Sequence, residues 1–411
     1  MSDMDERQPR LRKCTFSETA LSELETKADL SYVAQPATDK AKQKRKKPSF
    51  PTTLYPPIMP NVTGMLDVGD GHTIYWEESG QLASDTGPET PAALFLHGGP
   101  GGGCSEKSRR FFDPSFFRIV CLDQRGCGRS IPNAADDWEK SLFENNTDKL
   151  VNDLEKLRKF LNVSQWYVVL GGSWGSTLAL AYAEAYPKSL QHLVLRGVFL
   201  FSPDEVDYLF QNGSTAGQNP EAWEKYCQFI EDTSDDINAE RTNYLGAYFK
   251  RLRDDKFRAA AASAFIGYEL SISKAFIDIA AIIEDLSNPS RLIPFALFEV
   301  VYMLNAGFMR RGQILDELPQ IIENDISVNI IHGRADYVCQ PKAAYLLSQA
   351  LKKGGAKSVN LEIVAGAGHS DSEPGLQCAI VQATDRLRDL SSEHQFSGQP
   401  LSRINSLNLG E

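Results

Sequence analysis

From residue 62 onward, the apolar positions follow two alternating spacings along the chain. Short, mostly apolar runs bounded by turn-forming residues are typical of buried strands, and apolar residues that recur every three or four positions predict amphipathic helices. We predict strands at residues 73–76, 92–96, 117–122, 166–170, 193–195, 327–331 and 359–364, and helices at 148–161, 176–186, 343–351 and 376–390. This alternation indicates an α/β fold with a doubly wound, mostly parallel sheet that is covered by helices on both faces.

The pattern changes between residues 202 and 315, where apolar and charged residues keep helical spacing and no strand is predicted. We interpret this stretch as an all-helical cap domain inserted into the α/β core, which then comprises residues 61–201 and 316–411. Residues 1–60 form an N-terminal extension with a basic run at 40–47 followed by several prolines. Such a segment buries little apolar surface, so we expect it to be mobile or to lie over the surface. The basic run is either a solvated linker or a targeting patch.

Composition restricts the possible partners. The 411 residues are 42% apolar and carry a net charge of −11, so nucleic acid phosphates are unexpected ligands. No apolar run approaches the roughly 18 residues of a membrane span, and no membrane association is expected. The seven cysteines are scattered and form no metal-binding motif, which indicates free thiols in a reducing compartment, the cytoplasm. No metal or other cofactor is expected.

The strongest chemical motif is the pentapeptide GGSWG at residues 171–175, a G-x-S-x-G pattern. It lies between a predicted strand and a predicted helix, the context in which this pattern forms a nucleophile elbow. Small neighbours are needed because strand and helix approach closely there, and the helix N-terminus favours a developing negative charge. We therefore predict that Ser173 is a catalytic nucleophile.

A serine hydroxyl needs a base, and that base is usually oriented by a carboxylate. Asp336 and His369 follow the last two predicted strands, in the chain order serine, acid, histidine that α/β-hydrolases use. We predict that these two residues complete a catalytic triad. The competing histidines, His97, His192 and His332, are interpreted as structural.

An oxyanion hole requires two amide donors directed at the developing charge. We expect one to be the amide of Trp174, directly after the nucleophile. The other should come from the loop HGGPG that follows the predicted strand at 92–96, with Gly99 favoured and Gly98 as the alternative. Glycine lets this loop approach a substrate without a Cβ clash.

Several motifs together resemble one family. They are HGGPGGGC (97–104), DQRGCGRS (123–130), GGSWGSTL (171–178), LRG (195–197), HGRAD (332–336) and AGHS (367–370). In this order they are similar to the proline iminopeptidases, serine peptidases of the α/β-hydrolase fold. The resemblance covers about residues 62–390 and leaves the extension outside.

The resemblance implies an enzyme that removes an N-terminal proline from a short peptide or prolyl amide through an acyl-enzyme. It also implies that Glu269 and Glu299 of the cap bind the free α-ammonium of the substrate. A buried carboxylate pair suits this task physically, because an uncharged group would leave the anions unpaired. The other residues that match substrate-side positions of the family, or lie in its active-site loops, are Arg196, Phe199, Phe210 and Cys339.

The sequence leaves two other functions open. An esterase or amidase for small molecules could use the same triad, although it has no need for paired cap carboxylates. A non-catalytic, hydrolase-like protein would require a broken triad. Tyr268 and Ala335 depart from the family pattern near the pocket and put a strict preference for proline in question. The sequence leaves the oligomeric state undetermined.

Overall fold

A computed structural model describes residues 53–83 and 89–397 of the protein. Most of the predicted N-terminal extension, including the basic run at 40–47, lies outside these residues. The part of it that is described, residues 53–60, lies against the core. The amide of Tyr55 donates a hydrogen bond to the carbonyl of Arg110 at 2.9 Å, and its hydroxyl donates to Asp385 at 2.6 Å. Arg109 donates to the carbonyl of Ile58 at 2.9 Å.

An eight-stranded sheet forms the centre of the core, with the strand order β1-β2-β4-β3-β5-β6-β7-β8. The strands are β1 Val62–Gly69, β2 His72–Gly80, β3 Ala92–Leu96, β4 Arg118–Leu122, β5 Trp166–Gly172, β6 Leu190–Arg196, β7 Ser327–Gly333 and β8 Val359–Val364. Strand β2 is antiparallel to both β1 and β4, and all other pairs are parallel. The predicted strands are confirmed. Strand β1 was missed because it is an edge strand with mostly exposed side chains, which carries no apolar run.

Helices cover the sheet and form the insertion. They are α1 Trp138–Leu142, α2 Thr147–Phe160, α3 Trp174–Ala185, α4 Pro203–Phe210, α5 Pro220–Thr233, α6 Ile237–Glu240, α7 Tyr244–Leu252, α8 Arg258–Ile272, α9 Ile279–Leu286, α10 Pro289–Leu304, α11 Gln313–Asp316, α12 Leu318–Glu323, α13 Pro341–Lys353 and α14 Pro374–Ser397. Short 3-10 helices lie at Glu106–Phe111, Pro187–Ser189, Ser214–Gly217 and Ala306–Phe308. Between β6 and β7, where every residue is described, the chain is helical and contains no strand.

Burial on both faces explains why the central strands have continuous apolar runs. Every residue of β3 and β4 is buried, as expected for parallel strands between two helical layers. Their carboxyl ends, with those of β5 to β8, meet at one edge of the sheet. Loops at this edge of an α/β sheet commonly form the functional site.

The cap has an aromatic core of its own. Phe210 stacks on Phe265 with ring centroids 5.0 Å apart, and Tyr226 stacks on Tyr248 at 4.7 Å. Tyr268 lies 4.7 Å from Tyr226. Contacts of this kind contribute about 0.5–1.5 kcal/mol each beyond the apolar area they bury, so the cap helices are held together independently of the site beneath them.

No single helix among the described residues is long and apolar enough to cross a membrane. Helix α10 and the segment Ala306–Asp316 pass such a test only as a pair, and the chain bends by 79° between them.

Helix α3 contains a buried carboxylate that has no hydrogen-bond partner among the described residues. Both carboxylate oxygens of Glu184 are inaccessible and unpaired, and the residue is 9% exposed. Burial, and to a smaller extent the negative charge of Glu317, raises the pKa of Glu184 to about 9. The side chain is therefore protonated in the folded protein at neutral pH.

We expect Glu184→Gln to raise the free energy of unfolding near pH 8 by an amount on the order of 2–4 kcal/mol. In the wild type the folded state holds a proton that the unfolded state releases above about pH 4.5, so stability falls as the pH rises toward 9. Urea unfolding between pH 5 and 8 measures this slope, and the exposed Glu221→Gln is the control. Parallel pH slopes for the wild type and Glu184→Gln would contradict the assignment.

Candidate active site

Ser173 lies in a sharp turn between β5 and α3. Its backbone has φ 58° and ψ −127°, a conformation that costs energy for a residue with a side chain and that is typical of a nucleophile elbow. The flanking positions must be glycine because a side chain would clash with the neighbouring main chain. A Cβ on Gly171 would lie 2.0 Å from the carbonyl oxygen of Gly175, and a Cβ on Gly175 would lie 2.3 Å from that of Leu96.

The predicted acid and base meet beside this turn. Nδ1 of His369, after β8, lies 2.8 Å from Oδ2 of Asp336, after β7. The other oxygen of Asp336 accepts the amides of Val338 and Cys339 at 3.0 and 2.8 Å. Burial alone would raise the pKa of Asp336, but the neighbouring His369 and His332 hold it below its usual range. Asp336 is thus an ionised carboxylate that can orient the imidazole of His369.

His332 is a second histidine in contact with Asp336. Its Nδ1 accepts the amide of Val198 at 3.2 Å, so its proton is on Nε2. That nitrogen lies 2.7 Å from the carbonyl oxygen of Cys339 and 3.3 Å from Oδ2 of Asp336. His332 is completely buried, and these contacts give it a positioning role.

Arg196 reaches the base directly, which the sequence did not reveal. Its Nη1 lies 3.1 Å from Nε2 of His369 and donates to the carbonyl oxygen of His369, also at 3.1 Å. The guanidinium occupies the space over Gly172, where a Cβ would lie 2.4 Å from Nη2. Because Nδ1 of His369 faces Asp336, Nε2 is the acceptor toward Arg196. In this structure Nε2 therefore contacts Arg196 and not Ser173, although Ser173 lines the same cavity.

The loop after β3 lies against the nucleophile. A Cβ on Gly98 would be 3.3 Å from the Cβ of Ser173, and Gly99 has φ 114°. Gln124 joins this loop to the elbow. Its side chain donates to the carbonyl of His97 at 3.1 Å and accepts from Nε1 of Trp174 at 2.8 Å. The amide of Trp174, in the first turn of α3, has no intrahelical partner and is available to an oxyanion.

The two predicted cap glutamates lie next to each other. Glu269, on α8, is 8% exposed and Glu299, on α10, is 2% exposed. Each has one carboxylate oxygen, Oε2, that is buried and unpaired among the described residues. Burial, and then the charge and hydrogen bonding of Glu269, raises the pKa of Glu299 well above its usual range. Glu299 is therefore the member of the pair that holds a proton near neutral pH, which leaves the pair with about one negative charge.

A cavity of about 650 Å³ brings these groups together, and it is lined by Ser173, His369, Arg196, Glu269 and Phe295, among others. Glu299 lies behind Glu269. Phe295 precedes Glu299 by four residues, one turn, on the same face of α10. This spacing could have indicated from the sequence that Phe295 lies near the site.

Besides Glu299, three of the predicted pocket residues do not line this cavity. Phe210 is fully buried in the aromatic core of the cap, and Phe199 is 2% exposed and packs against Phe201 with centroids 4.6 Å apart. Cys339 is also buried, and Ser173 is one of the groups near enough to influence the pKa of its thiol. Burial raises the pKa of this thiol well above its usual range, so it is a neutral neighbour of the nucleophile.

The cap is joined to the histidine loop just after α8. The carbonyl of Ser273 accepts the amides of both His369 and Ser370 at 2.8 Å. Glu373 accepts the amide of Ala275 at 2.5 Å with one oxygen and the amide of Gly368 at 2.7 Å with the other. The helix that carries Glu269 is thus hydrogen-bonded directly to the loop that carries His369. Nothing in the sequence pattern predicted this connection.

A serine, histidine and aspartate at the carboxyl ends of parallel strands, with a nucleophile elbow and a helical cap, define the α/β-hydrolase class. A family model for the α/β hydrolase fold matches residues 91–376. Among solved structures, a putative lipase from Acinetobacter baumannii has a TM-score of 0.52 at 17% identity, covering 81% of this chain and 92% of its own. A haloalkane dehalogenase variant from Bradyrhizobium elkanii has a TM-score of 0.51 at 16% identity, covering 81% and 99%. These likenesses concern the fold alone.

Curated relatives are more similar. A proline iminopeptidase from Arabidopsis thaliana is 39% identical over 82% of this chain and 83% of its own length. Another, from Xanthomonas citri, is 41% identical over 81% of this chain and 98% of its own. The chain belongs to the proline iminopeptidase family of α/β-hydrolases.

Proposed function

We propose that the protein is a serine aminopeptidase that releases N-terminal proline from short peptides or prolyl amides. The observation that carries this proposal is the buried glutamate pair in the same site as Ser173 and His369. An α-ammonium matches the single charge of the pair and supplies donors to its unpaired oxygens. A neutral acyl group would leave a buried anion without a partner, which is costly.

The reaction follows from the positions of the side chains. Ser173 attacks the prolyl carbonyl carbon while Nε2 of His369 takes the hydroxyl proton. The carbonyl oxygen becomes an oxyanion that accepts hydrogen bonds from the amide of Trp174 and from Gly99 or Gly98. His369 then passes its proton to the leaving amine as the peptide bond breaks. A water molecule, activated by the same histidine, hydrolyses the prolyl ester and restores Ser173.

Arg196 must give up its contact with His369 for this cycle to begin. Nε2 has one lone pair, and the Ser173 hydroxyl and the Arg196 guanidinium compete for it. A substrate that enters the cavity meets Arg196 as well as Glu269, and its carbonyl groups are acceptors for the displaced guanidinium. This supports the substrate-side role expected for Arg196.

The shape of the site is consistent with a small cyclic residue. Phe295 lies against the oxyanion loop, with a ring carbon 3.4 Å from where a Cβ on Gly99 would be. A flat ring of this kind suits the pyrrolidine of proline.

Six cysteines among the described residues are unpaired, which supports a reducing compartment such as the cytoplasm.

A panel of aminoacyl arylamides tests the proposal. We expect the highest kcat/KM for prolyl arylamide, lower values for alanyl arylamide, and a loss of at least about 100-fold when the proline nitrogen is acetylated, because the ammonium contact is then absent. Equal turnover of free and acetylated substrates, or a preference for a simple acyl ester, would instead favour an esterase or amidase.

A further inference from the structure

Most of the charged side chains around the cavity form ion pairs with one another. Lys107 pairs with Asp371, and Arg291 lies 3.3 Å from Asp285. Arg129 lies 2.7 Å from Asp123, and the guanidinium of Arg196 contacts His369. Three of the charged residues around the cavity have no ion pair within the described part of the chain. They are Arg196, whose Nε has no partner, Glu269, which has the unpaired oxygen described above, and Lys274, which has no hydrogen bond either.

Lys274 is held close to the reacting groups by the main chain. It directly follows Ser273, whose carbonyl accepts the amide of His369. A Cβ on Gly368 would lie 3.0 Å from the carbonyl carbon of Lys274, so the two chain segments are in contact. Lys274 is half-buried and is one of the residues that line the cavity containing Ser173. A lysine therefore borders the site on the same segment that positions the catalytic base.

We propose that Lys274 binds the C-terminal carboxylate of the substrate, so that the preferred substrates are short peptides with a free C-terminus. This rests on the proposed function, since it requires the ammonium to lie at Glu269 and Glu299. Apart from Arg196, which lies beside the catalytic base, the described residues of the cavity would then offer one anion and one cation without an ion pair, Glu269 and Lys274, and a zwitterionic peptide complements this pattern. Its volume of about 650 Å³ leaves room for residues after the proline.

The main-chain spacing of Glu269 and Lys274 gives the scale of the peptide that would join them. Glu269 and Lys274 are five residues apart across the end of α8. With roughly 1.5 Å per residue in the helix and up to roughly 3.5 Å per residue beyond it, the main chain separates them by about 8–12 Å. An extended peptide of two or three residues spans about 7–11 Å. Dipeptides and tripeptides with N-terminal proline therefore match best.

The test compares prolyl-glycine and prolyl-glycyl-glycine with their C-terminal amides, by proline release. We expect the wild type to favour the acids by roughly 5- to 20-fold in kcat/KM, and this ratio to fall with added salt. In Lys274→Met the ratio should approach one, and Lys274→Arg should restore it. Lys225→Met removes an exposed cation from another cap helix and should keep the wild-type ratio.

The ratio is formed within each variant, so a general loss of activity cancels. A wild-type ratio near one would overturn the proposal without any variant, and so would an undiminished ratio in Lys274→Met. Failure of the proposed function is a different result, namely that the wild type releases no proline from prolyl arylamide. An acidic side chain is tested separately with prolyl-aspartyl-glycine amide, and if this amide matches the acids, recognition of the C-terminus is refuted.

Discussion

Ser173→Ala is expected to lower kcat for prolyl arylamide by about 10⁴-fold or more, because the acyl-enzyme cannot form without the hydroxyl. The remaining groups still bind substrate, so KM should change little. The fold should persist, because the strained backbone of residue 173 is held by its main-chain contacts. Its amide donates to the carbonyl of Arg196 at 2.8 Å, and its carbonyl accepts the amide of Ser176, also at 2.8 Å. The measurement is initial-rate kinetics, with circular dichroism and thermal unfolding as checks.

Cys339→Ala is the matched control for that experiment. The thiol lies beside Ser173 but is buried and neutral, so its removal should reduce the rate far less than removal of the serine hydroxyl. If Ser173→Ala retained turnover while Cys339→Ala lost it, the nucleophile would have been wrongly assigned.

The two glutamates should differ in their response to the same substitution. We expect Glu269→Gln to lower kcat/KM for prolyl arylamide by about 10²–10³-fold, mainly through KM, since it removes the charge that pairs with the substrate ammonium. Glu299 is the protonated member of the pair, and glutamine resembles a protonated carboxyl group. Glu299→Gln should therefore cost about tenfold or less.

A neutral acyl ester separates recognition from folding in this comparison. Neither glutamine variant should change its hydrolysis by more than about threefold, because an ester without an ammonium makes no use of the pair. Equal losses for prolyl arylamide and the ester would show that the glutamates only support the cap. Equal effects of the two substitutions on prolyl arylamide would contradict the assignment of the proton to Glu299.

Much of the fold could be predicted because its causes are local. Strands β3 to β7 are largely buried on both faces, and these strands and the half-buried edge strand β8 have short apolar runs. The amphipathic helices between them follow from spacing alone. Strand β1 was not predicted because it is an exposed edge strand without an apolar run. That Ser173, Asp336 and His369 lie at one edge of the sheet could also be predicted, since each follows a strand and the carboxyl ends of parallel strands meet at one edge.

Contacts between distant segments could not be read in this way. Whether Glu269 and Glu299 touch depends on how α8 and α10 pack, and whether Arg196 reaches His369 depends on the space over Gly172. Phe210 looked equally suitable for a pocket or a core, and only the packing of α4 against α8 placed it in the core. Glu373 and Ser273 gave no indication of the contacts that join the cap to the histidine loop.

The sequence by itself determined the alternation of strands and helices, the strained turn at Ser173 and the order of the catalytic residues, because each depends on neighbours within a few positions. The tertiary structure decided which charges are paired. It joined two distant glutamates into one anionic site, placed Arg196 on the base, and left Lys274 without a partner among the residues that the structure describes. Pairing of charges depends on distances across the fold, and those distances are set only when the cap packs on the core.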